Sequence, residues 1–409
     1  MVGTFAPGLY HILFCNGSPL RITHTNCLSF SGDSGLTHHI LHTSIFLHIS
    51  VFEMNILCLV CFPAVVLASD LAKWQNWTLP IDDRIRDVLS TLTLAEKIAN
   101  LEGSAPGASR IGLPAHSYAH ECLRGDASSP AGTGFPQSMG LAETWSTQIM
   151  LLVGRAASDE IRANYNSKRA ADPSAATELS CFAPVVNLCQ NPLWGRCQET
   201  YGEDPYLTSQ LAHWFIRWMQ FDHSVSTKYP ELLTIIKHFA VYAGPEGYGF
   251  TFGPKAERFG FNAVLTERRF REDFLPAYRA GIDAGAVGVM ASYSAITLTS
   301  NTSLSMDNLP SAINQPLLDT ILRKEIGMGE DGYVISDAGA VVFAYHAVGQ
   351  GHDVVHSNQE AAIRSIEAGL DIELTCCGAP AVFPELQAAV EKGLVNESAV
   401  DRALSRGLR

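Results

Sequence analysis

The chain has 409 residues, 47% of them hydrophobic, and a formal net charge of −13 at pH 7. This length allows one large domain or two ordinary ones, each with a sizeable core. The negative charge argues against nucleic acid or an anionic membrane surface as a partner, and it favours a soluble protein with a neutral ligand.

The N-terminal part of the chain differs from the rest. Residues 1–53 hold few charges and many histidines without metal-ligand spacing, and we interpret them as a disordered or mistranslated extension. Residues 54–68 form an apolar run with a small-residue cleavage pattern, which predicts a secretory signal peptide; a buried helix is the alternative. Sequons at Asn76, Asn301 and Asn396 agree with secretion, so we expect an extracellular protein.

The cysteines after residue 68 are even in number, which permits disulfides in a secreted protein without determining their pairing. Cys189 and Cys197 are close enough in sequence to meet across a loop, whereas the adjacent Cys376 and Cys377 have no clear role. No Cys-x-x-Cys pair occurs in this region, so we predict no structural zinc, and we expect no metal or other cofactor.

Apolar runs alternate with helical patterns over residues 70–409. Helical spacing of apolar residues predicts helices over 80–101, 151–161, 207–220, 267–283, 358–369, 380–393 and 397–408. β-branched runs predict strands over 181–188, 232–236, 286–293, 332–337 and 369–374. Because these runs lack polar alternation, we expect a parallel sheet and a (β/α)8 TIM-like barrel rather than a doubly wound sheet.

Polar side chains follow the predicted strands, where a barrel keeps its active-site groups. Asp337 ends the run 332–337, and the small residues after it leave its carboxylate open to a ligand. Capping of a following helix is the alternative role for this aspartate. The other predicted strand ends carry charged or aromatic residues: Glu121, Arg196, Lys237, His238 and Tyr293.

This mixture of side chains suits a sugar. Cations and carboxylates bind vicinal hydroxyls, and a lone carboxylate suits attack on an acetal carbon through an oxocarbenium-like transition state. We expect Arg196 and Lys237 to lower the pKa of Asp337 and keep it ionised. The alternative for the loop is structural, with Arg196 paired to Glu203 or Asp204.

Seven motifs stand in order between residues 80 and 409. They are Leu92-Thr-Leu-Ala-Glu-Lys-Ile98, Glu121-Cys-Leu-Arg-Gly125, Trp194-Gly-Arg-Cys-Gln-Glu-Thr-Tyr-Gly-Glu-Asp-Pro205, Lys237-His-Phe-Ala-Val-Tyr242, Ser292-Tyr-Ser-Ala295, Gly332-Tyr-Val-Ile-Ser-Asp337 and Asn396-Glu-Ser-Ala-Val-Asp-Arg-Ala-Leu404. As a set they resemble glycoside hydrolase family 3, in its branch of secreted β-xylosidases and related β-glucosidases.

The resemblance implies a role for each candidate residue. Asp337 is the expected nucleophile, and Ala338-Gly339 after it is more like the xylosidase branch than the classical β-glucosidase branch. The side chains expected to contact the terminal sugar are Glu121, Arg196, Lys237, His238 and Tyr293. The implied activity is that of a retaining xylan 1,4-β-xylosidase, which releases terminal β-D-xylose from xylo-oligosaccharides. The alternatives are a β-glucosidase of the same family and a non-catalytic sugar-binding barrel.

The sequence departs from the family pattern in two places. The Asn-Gly pair that usually follows Ser292-Tyr293 is missing. The family carries its general acid/base on a second α/β sandwich domain after the barrel, whereas this sequence stops at Arg409, so we expect a truncated and weakly active form. Glu199 and Glu246 are the substitute acids that the loops offer.

Overall fold

The computed structural model describes residues 72–129, 131–221, 229–244, 258–299, 302, 304–345, 351–375 and 380–409, together with two short N-terminal strands. The chain divides into two compact units, Met1–Leu67 and Ala68–Arg409. In the first unit, Phe14–Cys15 pairs antiparallel with Ser18–Pro19. The predicted signal peptide lies outside the described residues, as do Cys376 and Cys377.

A four-stranded parallel sheet forms the centre of the second unit. Its strands are β1 (Ser180–Cys181), β2 (Leu233–Phe239), β3 (Gly288–Ala291) and β4 (Tyr333–Ser336). Their spatial order is β4-β3-β2-β1. Almost every residue in these strands is buried, which explains why the runs lack polar alternation.

The prediction of an eight-stranded barrel is confirmed only as a parallel α/β sheet, since the described strands form four neighbours in this sheet. The strand predicted at 369–374 is reduced to two isolated parallel bridges, Ile335 with Ile372 and Glu102 with Glu373. The strand predicted at 181–188 is interrupted: β1 ends at Cys181, and pairing with β2 resumes in an isolated bridge between Val185 and Lys237. Pro184 lies in this gap, where it has no N–H to donate to the ladder.

The sequence analysis missed a second, three-stranded sheet. Asn262–Thr266 pairs parallel with Ala295–Thr299, which pairs antiparallel with Leu309–Pro310. Two more short strands, Ser104–Ala105 and His116–Ser117, also pair antiparallel. These strands were overlooked because they are short and partly exposed, so they lack the long apolar runs of the central sheet.

The predicted helices are present, but many of their ends differ from the predicted ones. The α-helices are Ile81–Thr91, Leu94–Ala99, Ser138–Ala142, Thr147–Ala171, Pro205–Gln220, Glu267–Arg269, Pro276–Asp283, Asn358–Ala368, Glu385–Glu391 and Glu397–Leu408. Two π-helical segments span Phe270–Phe274 and Pro316–Ile326, and the second of these was not predicted. None of the helices described here is long and apolar enough to cross a membrane.

The helix Pro205–Gln220 shows how local sequence determines these boundaries. The Asp204 carboxylate accepts a hydrogen bond of 2.6 Å from the N–H of Leu207, and proline occupies the first turn, where it needs no partner. Leu211 and Phe215 bury the apolar face of the helix. Asp204 therefore acts as a helix cap, and the alternative that paired it with Arg196 is wrong.

Candidate active site

Asp337 follows β4 directly. Its N–H donates to the carbonyl of Ala291 at the end of β3 (2.8 Å), which fixes its backbone at the carboxyl edge of the sheet. Its Oδ1 accepts the N–H of Ala338 at 2.7 Å. The chain then turns through Gly339, whose φ of 83° suits glycine. The carboxylate caps no helix, so the capping alternative is not supported.

The second carboxylate oxygen of Asp337 is in an unusual environment. Oδ2 is buried and has no hydrogen-bond partner among the described residues. Burial raises the pKa of Asp337, and Arg196, the N–H of Ala338, Lys237 and Arg258 oppose that shift without overcoming it. The expectation that the cations hold this pKa low is therefore wrong in its net direction. The reason is desolvation of the carboxylate, which outweighs the nearby charges.

Lys237 lies in β2 and is almost fully buried. Its Nζ donates to both carboxylate oxygens of Glu121, at 2.9 and 2.7 Å. The Glu121 side chain is 55% exposed, so a ligand can reach the same carboxylate. A disulfide between Cys122 and Cys181 ties the loop that carries Glu121 to β1, the neighbour of β2. The fold thus holds these two charges together from residues far apart in sequence.

Arg196 forms a bidentate pair with Glu199, through bonds of 2.8 Å from Nε and 2.6 Å from Nη2. Burial lowers the pKa of Arg196, but the hydrogen bonds and charge of Glu199 outweigh it and raise the pKa overall. The guanidinium also lies 5.7 Å from the ring centre of Tyr242. The predicted loop pairing exists, but its partner is Glu199 rather than Glu203. A disulfide between Cys189 and Cys197 confirms the expected approach of these cysteines.

His238 lies beside the nucleophile predicted from the sequence, with Nε2 3.7 Å from Asp337 Oδ2. Burial lowers the pKa of His238 well below its usual value, and the nearby cations Arg196, Lys237 and Arg258 lower it further. The imidazole is therefore neutral at physiological pH. A neutral ring adds no positive charge beside Oδ2.

Tyr293 packs beside the turn that follows β4. Its hydroxyl donates to the carbonyl of Ala338 at 2.8 Å, next to Asp337. Its ring packs edge-on against Tyr242 and Phe259. The backbone carbonyl of Tyr293 in turn lies 2.7 Å from Nε2 of His352. This residue supports the turn after β4, and its sugar contact stays a prediction from the resemblance.

Sequence reasoning missed three residues at this site. Arg258 lies 5.5 Å from the ring centre of Tyr293 and lowers the pKa of both Asp337 and His238. Asn187 and Tyr278 both donate hydrogen bonds to the backbone carbonyl of His238. No motif marks them, because their role depends on contacts across 51 and 40 residues of sequence. Of the substitute acids, Glu199 is paired with Arg196, and Glu246 lies outside the described residues.

A cleft of about 290 Å³ shares residues with this cluster. Its lining includes Glu121, Arg124, Gln137, Arg196 and Glu199. The volume is at the lower end for a small-molecule site, and the charged and amide side chains in its lining offer donors and acceptors to hydroxyl groups. Within the described ranges, no group of His, Cys, Asp or Glu side chains has the arrangement of a metal site.

The site therefore combines a buried carboxylate that has a free oxygen, a neutral imidazole and two cations already paired with carboxylates. Such a set suits nucleophilic attack on a neutral, polyhydroxylated substrate. Parallel strands place these groups at their carboxyl ends, where α/β enzymes carry their chemistry. The fold and the site together define an α/β protein of the glycosidase class.

Comparison with known proteins agrees with this class. Residues 86–409 match the Glycosyl hydrolase family 3 N terminal domain, and the chain belongs to that family. A xylan 1,4-beta-xylosidase of Xylanibacter ruminicola is 33% identical over 340 residues, covering 81% of this chain and 36% of that protein. Beta-D-xylosidase 1 of Arabidopsis thaliana is 30% identical over 359 residues, covering 85% of this chain and 42% of that protein.

Solved structures give the same family. A GH3 exo-beta-xylosidase (XlnD) in complex with a xylobiose aziridine probe aligns with a TM-score of 0.68 and 26% identity, over 81% of this chain and 40% of that chain. A β-glucosidase of Erythrobacter marinus aligns with a TM-score of 0.65 and 26% identity, over 82% and 46%. The chain spans only about two fifths of the length of the curated relatives named above.

Proposed function

We propose that the chain acts as a retaining exo-β-glycosidase that removes terminal β-D-xylose from xylo-oligosaccharides, with Asp337 as the nucleophile. One observation carries this proposal: Oδ2 of Asp337 is buried at a strand end without a hydrogen-bond partner in the described part of the chain. A carboxylate oxygen kept in this state costs stability, and such strain is typical of functional sites. We also propose that the parallel sheet belongs to a (β/α)8 barrel.

In the first step, Asp337 Oδ2 attacks the anomeric carbon of the terminal sugar. A C–O bond forms to the enzyme while the glycosidic C–O bond breaks, and the departing oxygen keeps the electron pair of that bond. A general acid protonates this oxygen, unless the leaving group is stable as an anion. Burial of Asp337 favours the reaction, since the attacking oxygen has no hydrogen bond to lose.

In the second step, water attacks the anomeric carbon of the glycosyl-enzyme. A base takes one proton from the water, the bond to Asp337 breaks, and the carboxylate is restored. Two displacements at one carbon return the original configuration. The sugar is therefore released first as the β-anomer.

Three further residues organise the binding of the sugar hydroxyls in this proposal. Glu121 accepts hydrogen bonds through its exposed carboxylate, while Lys237 fixes its position from the buried side. Arg196, held by Glu199, lies in the lining of the cleft and donates to hydroxyls through its remaining N–H groups. Because both cations are already paired, they orient hydroxyls without forming a strong ion pair with Asp337.

The substrate proposal rests on the relatives. Both proteins described above with at least 30% identity are named as xylosidases. A β-glucosidase function is the second candidate, because a β-glucosidase is among the structural neighbours. The two differ only in the hydroxymethyl group of the sugar. The ligand class in either case is a neutral β-linked oligosaccharide.

Proton NMR of product formation tests this proposal. The substrate is 2,4-dinitrophenyl β-xyloside, whose leaving group needs no protonation, with the matching β-glucoside as control. We expect β-xylose to appear before α-xylose, and faster hydrolysis of the xyloside. First release of the α-anomer contradicts the retaining mechanism. Xylotriose binding without any hydrolysis makes the chain a sugar-binding protein instead.

We also propose an extracellular location, supported by the apolar run 54–68 and the sequons. Expression in a eukaryotic secretory host tests it. We expect the medium to contain a protein whose N-terminus lies just after residue 68. Retention of the whole chain inside the cells contradicts this proposal.

A further inference from the structure

Asn187 contacts three polar atoms of His238. Its Oδ1 accepts the backbone N–H of His238 at 2.7 Å and lies 3.2 Å from Nδ1 of the imidazole ring. Its Nδ2 donates to the backbone carbonyl of His238 at 2.8 Å. The Tyr278 hydroxyl donates to the same carbonyl at 2.6 Å. All three residues are at most 2% exposed, so water does not compete for these contacts.

The backbone of His238 determines the orientation of the Asn187 amide. An N–H is always a donor and a carbonyl is always an acceptor, so Oδ1 must face the N–H and Nδ2 must face the carbonyl. The opposite orientation places donor against donor and acceptor against acceptor. The atom beside Nδ1 of the ring is therefore an oxygen that carries no hydrogen.

A neutral imidazole has one protonated nitrogen and one bare nitrogen. Only a protonated Nδ1 makes a favourable contact with the oxygen of Asn187. We infer that Asn187 is a positioning residue that fixes the Nδ1–H tautomer of His238, so that Nε2 accepts a hydrogen bond from a substrate hydroxyl. This inference deepens the proposed function and rests on it for the identity of the substrate.

The tautomer has a consequence for the nucleophile. Nε2 lies 3.7 Å from Oδ2 of Asp337. With a proton on Nε2, the ring is placed to donate to Oδ2 after a small movement, which reduces the nucleophilicity of the carboxylate. With Nε2 bare, both atoms are acceptors, and Oδ2 stays unpaired. Asn187 thus acts on Asp337 through His238 and contacts no substrate itself.

The charges around the ring agree with a neutral imidazole. Burial disfavours a second proton on His238, and the charges of Arg196, Lys237 and Arg258 disfavour it further. The Asp337 carboxylate, 3.7 Å from Nε2, acts in the opposite direction. The ring therefore stays neutral when the amide is removed, and only the position of its single proton can change. Asn187→Leu has a similar shape but takes away the oxygen beside Nδ1, so the form with a proton on Nε2 becomes populated.

Nitrogen-15 NMR of histidine-labelled protein tests the inference directly. The His238 signals are assigned by their loss in His238→Gln, and long-range proton–nitrogen correlations identify which ring nitrogen carries the proton. In the unliganded wild-type chain at neutral pH, we expect a protonated Nδ1 and a bare Nε2. A bare Nδ1 with a protonated Nε2, or an imidazolium, overturns the inference. This readout needs no turnover, so it is independent of whether the proposed activity is found.

Two variants sharpen the test. Asn187→Leu is expected to populate the tautomer with a protonated Nε2 and to slow covalent labelling of Asp337 by about tenfold, the effect of one pKa unit. Tyr278→Phe is the matched control. It removes the hydroxyl that donates to the same carbonyl and accepts from Nδ2 of Asn187 at 3.2 Å, but it leaves Oδ1 and both backbone contacts of the amide in place. It is expected to keep the wild-type tautomer. If Tyr278→Phe also moves the proton, the backbone contacts of the Asn187 amide do not fix the tautomer, and the inference fails.

Discussion

Two buried aspartates lie at opposite ends of β4. Asp371 lies beside the start of the strand, where its Oδ2 accepts bonds of 2.8 Å from the N–H of Val334 and 2.7 Å from Arg323. Its Oδ1 accepts from Arg406 at 2.9 Å. Asp337 follows the end of the strand, and its Oδ2 has no such partner in the part of the chain that the structure describes.

This difference shows that the two ends of β4 have separate roles, one in stability and one in the active site. Around Asp371, both arginines are buried and their charges are used to hold segments together: Arg323 comes from the π-helical segment Pro316–Ile326 and Arg406 from the last helix. Around Asp337, the cations are paired elsewhere, and the carboxylate stays available. This matches the general rule that the amino ends of such strands provide stability and the carboxyl ends carry the site.

The largest expected effect is on catalysis. Asp337→Asn keeps the shape of the side chain but removes the nucleophile, so hydrolysis of 2,4-dinitrophenyl β-xyloside should fall by about 10⁴-fold or more. The absorbance of released 2,4-dinitrophenolate measures the rate of hydrolysis. Asp371→Asn is the matched control, and its folded fraction should retain activity within a small factor. Equal losses in both variants contradict the separation of roles.

The second effect is on stability. Arg406→Met breaks one partner of Asp371 and leaves a buried carboxylate short of charge compensation, so the free energy of unfolding should fall by about 3–5 kcal/mol. Urea unfolding followed by tryptophan fluorescence measures this. Lys324→Met, at an exposed pair with Asp319, is the control and should cost about 0–1 kcal/mol. A similar cost for both would show that the buried network has no special role.

A smaller effect has the opposite sign. Asp337→Asn removes a buried carboxylate that lacks a partner, so it should raise the free energy of unfolding by about 0.5–2 kcal/mol at neutral pH. The pH dependence follows from the raised pKa. Between the unfolded and folded pKa values the folded chain binds the extra proton, so wild-type stability falls as pH rises through that window. This part of the pH dependence should be absent from Asp337→Asn, and urea unfolding at several pH values checks it.

The smallest effect is a shift in the pH profile. Arg196 opposes the rise in the pKa of Asp337, so its removal should raise that pKa further. Only the ionised carboxylate attacks, and the acid limb of the labelling rate should therefore move to higher pH in Arg196→Met. Arg196→Lys keeps the charge and should leave the limb closer to wild type. A limb that moves to lower pH in Arg196→Met contradicts the electrostatic account.

The sequence predicted those features of the site that depend on a single strand. The apolar runs before Lys237 and Asp337 are both buried strands, as predicted. The end of β4 was predictable from the small residues after Asp337, whereas β2 continues past its predicted end and includes Lys237. The partners of His238 were not predictable, because Asn187 and Tyr278 reach the site through folding of separate segments. The pKa of Asp337 was mispredicted for a related reason: charge is visible in a sequence, but the depth of burial that outweighs it is not.

The most direct test of the central claim is the position of a covalent label. The chain is treated with 2,4-dinitrophenyl 2-deoxy-2-fluoro-β-xyloside, digested and analysed by mass spectrometry, with Asp337→Asn and Asp371→Asn treated in parallel. We predict one fluoroxylosyl group on the peptide that contains Asp337, present in Asp371→Asn and absent from Asp337→Asn. A label on any other carboxylate, or equal labelling of Asp337→Asn, would contradict the assignment of the free oxygen at the end of β4 as the nucleophile.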